Sequence, residues 1–412
     1  MNVITEVRQF YQISDDCFGE GGESWIYGVK GHPSLCAKIY KKVKPEQEAK
    51  IRAMVNERFD GMVEGRRLFT WPLHLLYDSS GKFVGYLMHR EEGQPLFNVM
   101  RPDKRDTVFS TPYHWTYSIA VAYHLAWLFE YAHDHGYVIG DANSANFLVH
   151  KDGSVVVIDV DSFEFTDKAT GRHYRTGVGV PSYVPPELQG KNMSRNNYTE
   201  ASDDFALAVH VFELLVGSHP FAATVQTTDQ ESLPYSDATY NIVHGICPWF
   251  RQTPGVKVPL YALDLAALPA KFRTAFRYTF TYDENTVRDA ISNRVKAGIY
   301  KMLLLDLYNR RSSFVTCSVN PAHRYLQDHN RSCPFCAAEQ RVRSVWEQIN
   351  GEPPQPAVRP ASSRPAVSNG YAAGNPAPRL TPSAPGDTSA NSSSKSKSKT
   401  LLNSFKSLFS KS

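Results

Sequence analysis

Residues His135 to Phe163 read HGYVIGDANSANFLVHKDGSVVVIDVDSF. Asp141 and Asn146 share a polar loop, and Phe147–Val149 follows directly as an apolar strand. Lys151–Gly153 supplies a turn into a second apolar strand, Ser154–Ile158, which ends in Asp159-Val160-Asp161. Apolar runs bounded by turn residues in this way read as a β-hairpin. The hairpin brings a loop carboxylate, a loop amide and a strand-end carboxylate to one end. Mg²⁺ prefers carboxylate, phosphate and water oxygens, so the set suits that ion beside a triphosphate. The loop carboxylate is placed to accept a hydroxyl proton.

Working outward, Tyr117–Gly136 carries Ala120, Ala122, Leu125, Leu128, Phe129 and Ala132 at helical spacing. It closes on His133-Asp134-His135-Gly136, with glycine as a natural helix stop. His124, His133 and His135 read as packing and capping residues rather than a metal site. Further upstream, Gly19-Glu20-Gly21-Gly22-Glu23-Ser24 lies between two short strands, where glycines let backbone N–H groups approach phosphates. Ser34–Tyr40 reads as a strand with Lys38 in its middle, Pro45–Val55 as a helix and Phe83–Met88 as another strand. Downstream, Gly179–Glu187 ends in Pro-Pro-Glu, and Ser202–Gly217 reads as a capped apolar helix.

In this order, over roughly residues 10–310, the motifs resemble those of protein kinases. The resemblance implies a two-lobed α+β fold, with a small mostly-β N-lobe (about 8–92) and a mostly-α C-lobe (about 93–310). It implies ATP and Mg²⁺ (or Mn²⁺) as cofactors and serine/threonine hydroxyls of proteins as acceptors, with autophosphorylation. Gly19, Glu20, Gly21, Gly22, Glu23 and Ser24 then cover the phosphates, and Met88 lies beside the adenine. Lys38 holds the α- and β-phosphates, oriented by Glu48, with Glu57 as the rival. Asp141 serves as base beside Asn143, Asn146 and Asp159 bind Mg²⁺, and Asp161 is a secondary ligand. Asp203 holds the catalytic-loop backbone.

The chain also departs from the family. The usual His-Arg-Asp is Ile139-Gly140-Asp141, so the arginine that pairs with an activation-loop phosphate is missing. Asn143 stands where a lysine ordinarily neutralises γ-phosphate charge, and Asp-Val-Asp replaces Asp-Phe-Gly. A nucleotide-binding scaffold without turnover is the alternative these changes raise. The presence of Lys38, Asp141, Asn146 and Asp159 together favours an active kinase.

Residues 311–350 contain Cys317-x5-His323-x9-Cys333-x2-Cys336, the ligand types and Cys-Pro-Phe-Cys knuckle of a structural Zn²⁺ site, with His329 as an alternative ligand. Four protein ligands leave no open position, so the expected role is structural. A kinase-like domain with these departures and such a module resembles a bacterial subfamily encoded beside metal-dependent serine/threonine phosphatases and von Willebrand A-domain proteins, some in tellurite-resistance or stress operons. The resemblance implies those proteins as partners.

Residues 351–394 are rich in Pro, Ala, Ser, Gly and Asn and read as a disordered linker. Residues 395–412 place Leu401, Leu402, Phe405, Leu408 and Phe409 on one helical face among lysines, a pattern suited to reversible contact with an anionic membrane. The net charge of +4 gives no case for nucleic-acid binding. Six cysteines are too few for a disulfide scaffold in 412 residues. With no signal peptide or apolar span in view, the expected location is the cytoplasm.

Overall fold

A computed structural model describes residues 1–351 except Arg58, Asp60, Ser110, 226–235, Glu284, Asn330 and the side chain of His329. The readings made for residues 351–394 and 395–412 therefore fall, Gly351 aside, outside the described residues, as does that for His329. Among the described residues no helix is long and apolar enough to cross a membrane.

The N-terminal part is a closed barrel. Strands β1 (Asn2–Thr5), β2 (Phe10–Glu20), β3 (Ser24–Val29) and β4 (His32–Tyr40) run in sequence, followed after helix α1 (Gln47–Glu57) by β5 (His74–Tyr77) and β6 (Phe83–His89). The order around the barrel is β1-β2-β3-β4-β6-β5, and β1 closes it by pairing with both β2 and β5. The lobe thus begins at Asn2 rather than near residue 8. Val3 is fully buried with Ile13, Ala37, Leu76 and Leu87, and one buried aliphatic side chain of this size contributes about 1.5–3 kcal/mol.

The strands form where β-branched and aromatic residues alternate, as in Ser24-Trp25-Ile26-Tyr27. Gly85 lies opposite Ile39 where β6 meets β4, and a Cβ there would stand 1.9 Å from the Lys38 carbonyl oxygen. Only glycine lets the two backbones come this close.

The C-terminal part is mostly helical. Helix α2 (Trp115–Asp134) is buried around nearly its whole circumference, as a central helix of a large core must be. Helix α3 (Glu200–Val216) starts in a Thr199/Ser202 capping box and stops at Gly217, whose φ is +79°. Both pack together, and α4 (Ala297–Asn309) lies along α2. The hairpin of β7 (Phe147–Val149) and β8 (Val155–Val157) pairs Phe147 with Val157 and Val149 with Val155, a slightly shorter second strand than Ser154–Ile158.

Residues 314–350 build a β9 (Phe314–Thr316) and β10 (Arg324–Leu326) hairpin followed by α5 (Pro334–Asn350). This segment is docked on the helical part rather than standing alone. Trp115 packs against Phe314 and Phe335 at ring distances of 5.8 and 6.0 Å, and Arg341 donates to the carbonyls of Leu260 and Ala262.

Candidate active site

One cleft of about 930 Å³ is lined by Gly19–Ser24, Lys38, Met88, Asp141, Asn143, Asn146, Asp159 and Asp161. Segments far apart in sequence thus converge on one cleft. Glu48 is absent from that lining. The cleft lies at the end of the β7–β8 hairpin and beneath the β2–β3 turn, where the Gly21 N–H donates to the Ser24 carbonyl at 2.9 Å. Nothing lies within 4 Å of the place a Cβ of Gly22 would occupy, so packing does not account for that glycine.

The loop before β7 is fixed from below by α3. Asp203 is fully buried, accepting from the Ile139 N–H at 2.7 Å, the Gly140 N–H at 2.9 Å and His133 Nε2 at 3.0 Å. His210, one face along the same helix, donates through Nε2 to the Ala142 carbonyl at 2.7 Å. Gly140 has φ +73°, and a Cβ on it would meet Thr176 at 2.7 Å. Asp141 is therefore held by backbone anchored on both sides.

Within the loop, Asn143 Nδ2 donates to Asp141 Oδ2 at 3.0 Å, and Asn146 Nδ2 donates to the Asp141 carbonyl and to Oδ2 at 3.0 and 3.1 Å. Asp141 Oδ1 is buried and makes no hydrogen bond within the protein. A buried carboxylate oxygen left unpaired in this way keeps unmet capacity to accept a hydrogen bond. Since the Asn146 amide nitrogen is committed, its Oδ1 is the atom available to a cation.

The two aspartates after β8 differ. Asp159 keeps 34% of its side chain exposed, whereas Asp161 keeps 12%. Lys38 donates to both. Tyr40 Oη donates to Asp161 Oδ2 at 2.7 Å and Tyr86 Oη to Asp161 Oδ1 at 3.1 Å. Burial alone would lower the Lys38 pKa, but the Asp159 and Asp161 charges more than reverse that and hold it protonated. Burial likewise works against ionised Asp161, yet Lys38 and Tyr40 keep its carboxyl well below the usual carboxylate range. Burial pushes Asp159 upward, only partly offset by Lys38.

The expected Lys38–Glu48 pair does not form. The Glu48 carboxylate accepts from Arg52 at 2.8 Å, one turn along α1, and from Tyr77 at 2.9 Å. Glu57 is turned to Tyr137 and to Lys168 instead. Of α1, Gln47, Lys50 and Ile51 line the cleft, and the charged one is Lys50, a buried lysine whose Nζ donates to the Arg175 carbonyl at 3.0 Å. Burial pulls its pKa down to about 8, against the opposing pull of Asp161 and Glu164. Sequence reading missed Lys50, Tyr40 and Tyr86. Only the Lys38/Tyr40 spacing, which puts both on one face of a strand, hinted at any of them.

The segment after Asp161 has its own anchors. Glu164, 1% exposed, accepts from His173 Nε2 at 2.8 Å and from the Tyr198 N–H at 3.0 Å. At its far end Glu187 makes a two-pronged pair with Arg294 at 2.7 and 2.6 Å, and Arg294 is itself buried.

A second cluster lies in the docked C-terminal segment. One ligand atom each of Cys317, His323, Cys333 and Cys336 lies within 4.8 Å of the others. Cys317 Sγ and Cys336 Sγ are 3.5 Å apart, and His323 Nδ1 is 3.6 and 3.5 Å from the sulfurs of Cys333 and Cys336. These separations are too long for disulfides and match the edges of a tetrahedron with ligands about 2.0–2.3 Å from a centre. His323 Nε2, on the outer side of the ring, lies 3.2 Å from Glu339 and 3.1 Å from the Asn320 amide.

Comparison with known proteins adds independent findings. The protein kinase domain model matches residues 77–316, more than half of the chain. The protein kinase YegI of Escherichia coli K12 is 30% identical over 333 residues, which cover 78% of this chain and 48% of that protein. An isozyme of the cGMP-dependent protein kinase of Drosophila melanogaster is 31% identical over 144 residues, 35% of this chain and 14% of its own. Protein kinase C epsilon of Rattus norvegicus is 22% identical over 225 residues, 54% of this chain and 29% of its own. The chain spans about half the length of the YegI proteins it matches.

Proposed function

Because the chain belongs to the protein kinase family, we propose that it transfers the γ-phosphate of ATP to serine or threonine hydroxyls of proteins, itself included. The observation that carries this reading is the loop carboxylate Asp141, anchored through Asp203 and lining the cleft beside Asn143, Asn146 and Asp159. In this reading the Asp141 carboxylate takes the acceptor proton, and Asn143 and Asn146 hold it in line by bonding Oδ2. Lys38 binds the α- and β-phosphates, the glycine-rich turn covers them, and the strand carrying Met88 borders the adenine. Asn146 Oδ1 and the half-exposed Asp159 are the groups that would hold Mg²⁺. When bound, that ion neutralises phosphate charge. Most of the rate gain would come from positioning and preorganised charge.

Zinc is the ion proposed for the Cys317, His323, Cys333 and Cys336 cluster, since three thiolates and an imidazole in a closed tetrahedron suit it. Its role is to pin the β9–β10 hairpin to the start of α5. A metal-dependent serine/threonine phosphatase and von Willebrand A-domain proteins are the proposed partners or acceptors, with the cytoplasm as the proposed site of action.

Phosphoamino-acid analysis tests the acceptor class. The full chain is incubated with labelled ATP and Mg²⁺, alone and with a generic protein substrate. Label on serine and threonine is expected. Label on tyrosine, or only on small-molecule acceptors, would overturn the class assigned.

A further inference from the structure

Lys38 must be held extended toward the phosphates, and the helix that packs behind it offers no carboxylate to do so. Glu48 and Glu57 of α1 are engaged elsewhere, and the charged α1 residue that reaches the cleft is a second cation, Lys50. A lysine cannot pair with Lys38. Two carboxylates meet it from the other side, Asp159 and, two residues beyond, Asp161.

The strand register explains how. Lys38 and Tyr40 alternate onto the same face of β4, and Tyr86 of β6 lies directly opposite Lys38. Their polar ends converge on one group. Asp161 Oδ2 takes the Tyr40 hydroxyl, and Oδ1 takes both Tyr86 and Lys38. The Lys38 ammonium stands 6.0 and 5.8 Å from the centres of the two tyrosine rings, so its stem is walled in as well. Asp161 is carried on a single tight turn, Val160–Ser162, closed by the Ser162 hydroxyl donating to the Asp159 carbonyl at 2.7 Å. Both Asp161 oxygens are thus committed to protein donors, whereas Asp159 is the more exposed of the pair.

We infer that Asp161 is the positioning residue for Lys38, replacing the helix carboxylate of α1 and leaving the metal to Asp159 and Asn146. The inference rests on the kinase reading above and deepens it. One consequence is that Lys38 stays oriented wherever α1 moves, because its anchor sits on the segment after β8. The secondary metal role expected for Asp161 is given up in this assignment.

The test is a comparison of Asp161→Asn with Tyr40→Phe/Tyr86→Phe and with Glu48→Gln and Glu57→Gln, all in the full chain. MgATP affinity is measured calorimetrically, KM for ATP and kcat are separated, and the Mg²⁺ concentration giving half-maximal activity is titrated for each. Weakening hydrogen bonds to a charged group predicts a rise in ATP Kd and KM of roughly tenfold in Asp161→Asn and a smaller rise in the double tyrosine variant. The half-saturating Mg²⁺ concentration stays at the wild-type value, and the two α1 variants bind ATP within about twofold of wild type. If Asp161→Asn does not fold, the tyrosine pair, which keeps every carboxylate, decides alone.

An Asp161→Asn or double tyrosine variant with unchanged ATP affinity overturns the assignment. So does a Mg²⁺ requirement that moves strongly at constant ATP affinity, which makes Asp161 a metal ligand, and so does a loss of ATP binding in Glu48→Gln. These outcomes are distinct from failure of the kinase reading, which shows as wild-type protein that binds ATP without transfer or does not bind it.

Discussion

Replacing Asp203 with asparagine attacks the point where the helical core holds the reactive loop. The wild-type carboxylate has no solvent exposure and accepts from two backbone N–H groups and from His133. An asparagine keeps one acceptor oxygen but presents an NH₂ where the other donors arrive. At least one buried donor is then unpaired, at about 1–3 kcal/mol, and the His133 cation loses its counter-charge. The sum is about 3–5 kcal/mol, a large share of the stability of any domain.

The pH dependence has a definite sign. Burial alone would lower the His133 pKa, but the Asp203 hydrogen bond and charge raise it above the ordinary value. A histidine with a raised folded pKa contributes stability that is fully present below its unfolded pKa, near 6.5, and is lost as pH climbs through the folded value. The penalty of Asp203→Asn is therefore larger at pH 5.5 than at pH 9. Urea denaturation of both proteins at the two pH values measures it, with ATP turnover followed in parallel. A penalty under about 1 kcal/mol, or one that grows with pH, would refute the reasoning.

The neighbouring Asp204 has the same sign of pH dependence, but its charge is a cost to the fold rather than a support. Its buried carboxyl accepts the Ala297 N–H at 2.9 Å, and burial pushes its pKa up to about 7. The folded state then binds more protons than the unfolded one between about pH 4 and 7, so stability falls across that window. Asp204→Asn keeps the acceptor oxygen and should gain on the order of 2–4 kcal/mol at pH 8 while gaining little at pH 4, as read by thermal melts. Gly140→Ala forces a side chain into a left-handed backbone position and against Thr176, and should cost about 2–4 kcal/mol with a matching fall in kcat; an unchanged melting point counts against the packing described. Metal analysis should find one zinc per chain, lost in Cys333→Ser, and a strong chelator should lower the melting temperature; metal-free protein with an unaltered melt would rule the cluster out as a zinc site.

The sequence made the centre of the site legible because its parts are local. Asp141, Asn146 and Asp159 hang on one hairpin whose apolar alternation and turn are written in consecutive residues. The Asp203 anchor was equally readable, since the helix carrying it is capped and apolar in its own right. What escaped was decided by packing at long range. Whether Lys38 meets Glu48 or Asp161 depends on the rotation of α1 and on the register of β4 against β6, which places Tyr86 opposite Lys38. Periodicity says nothing of either. The first strand escaped for another reason. Asn2–Thr5 is too short to show alternation, and only the barrel that Val3 completes reveals it. Nothing in the residues around Glu164 marks it as buried, yet the folded chain buries it beneath His173 and Tyr198.

The most direct test of the central claim is γ-phosphate transfer from labelled ATP by the full chain with Mg²⁺ or Mn²⁺, beside Asp141→Asn and Asp159→Ala. The account predicts transfer by the wild type, at least a ~10²-fold loss in each variant, and ATP binding retained in Asp141→Asn. Wild-type protein that binds ATP yet transfers nothing with either metal would contradict it and leave a nucleotide-binding scaffold. Transfer that survives Asp141→Asn would contradict the role given to that carboxylate.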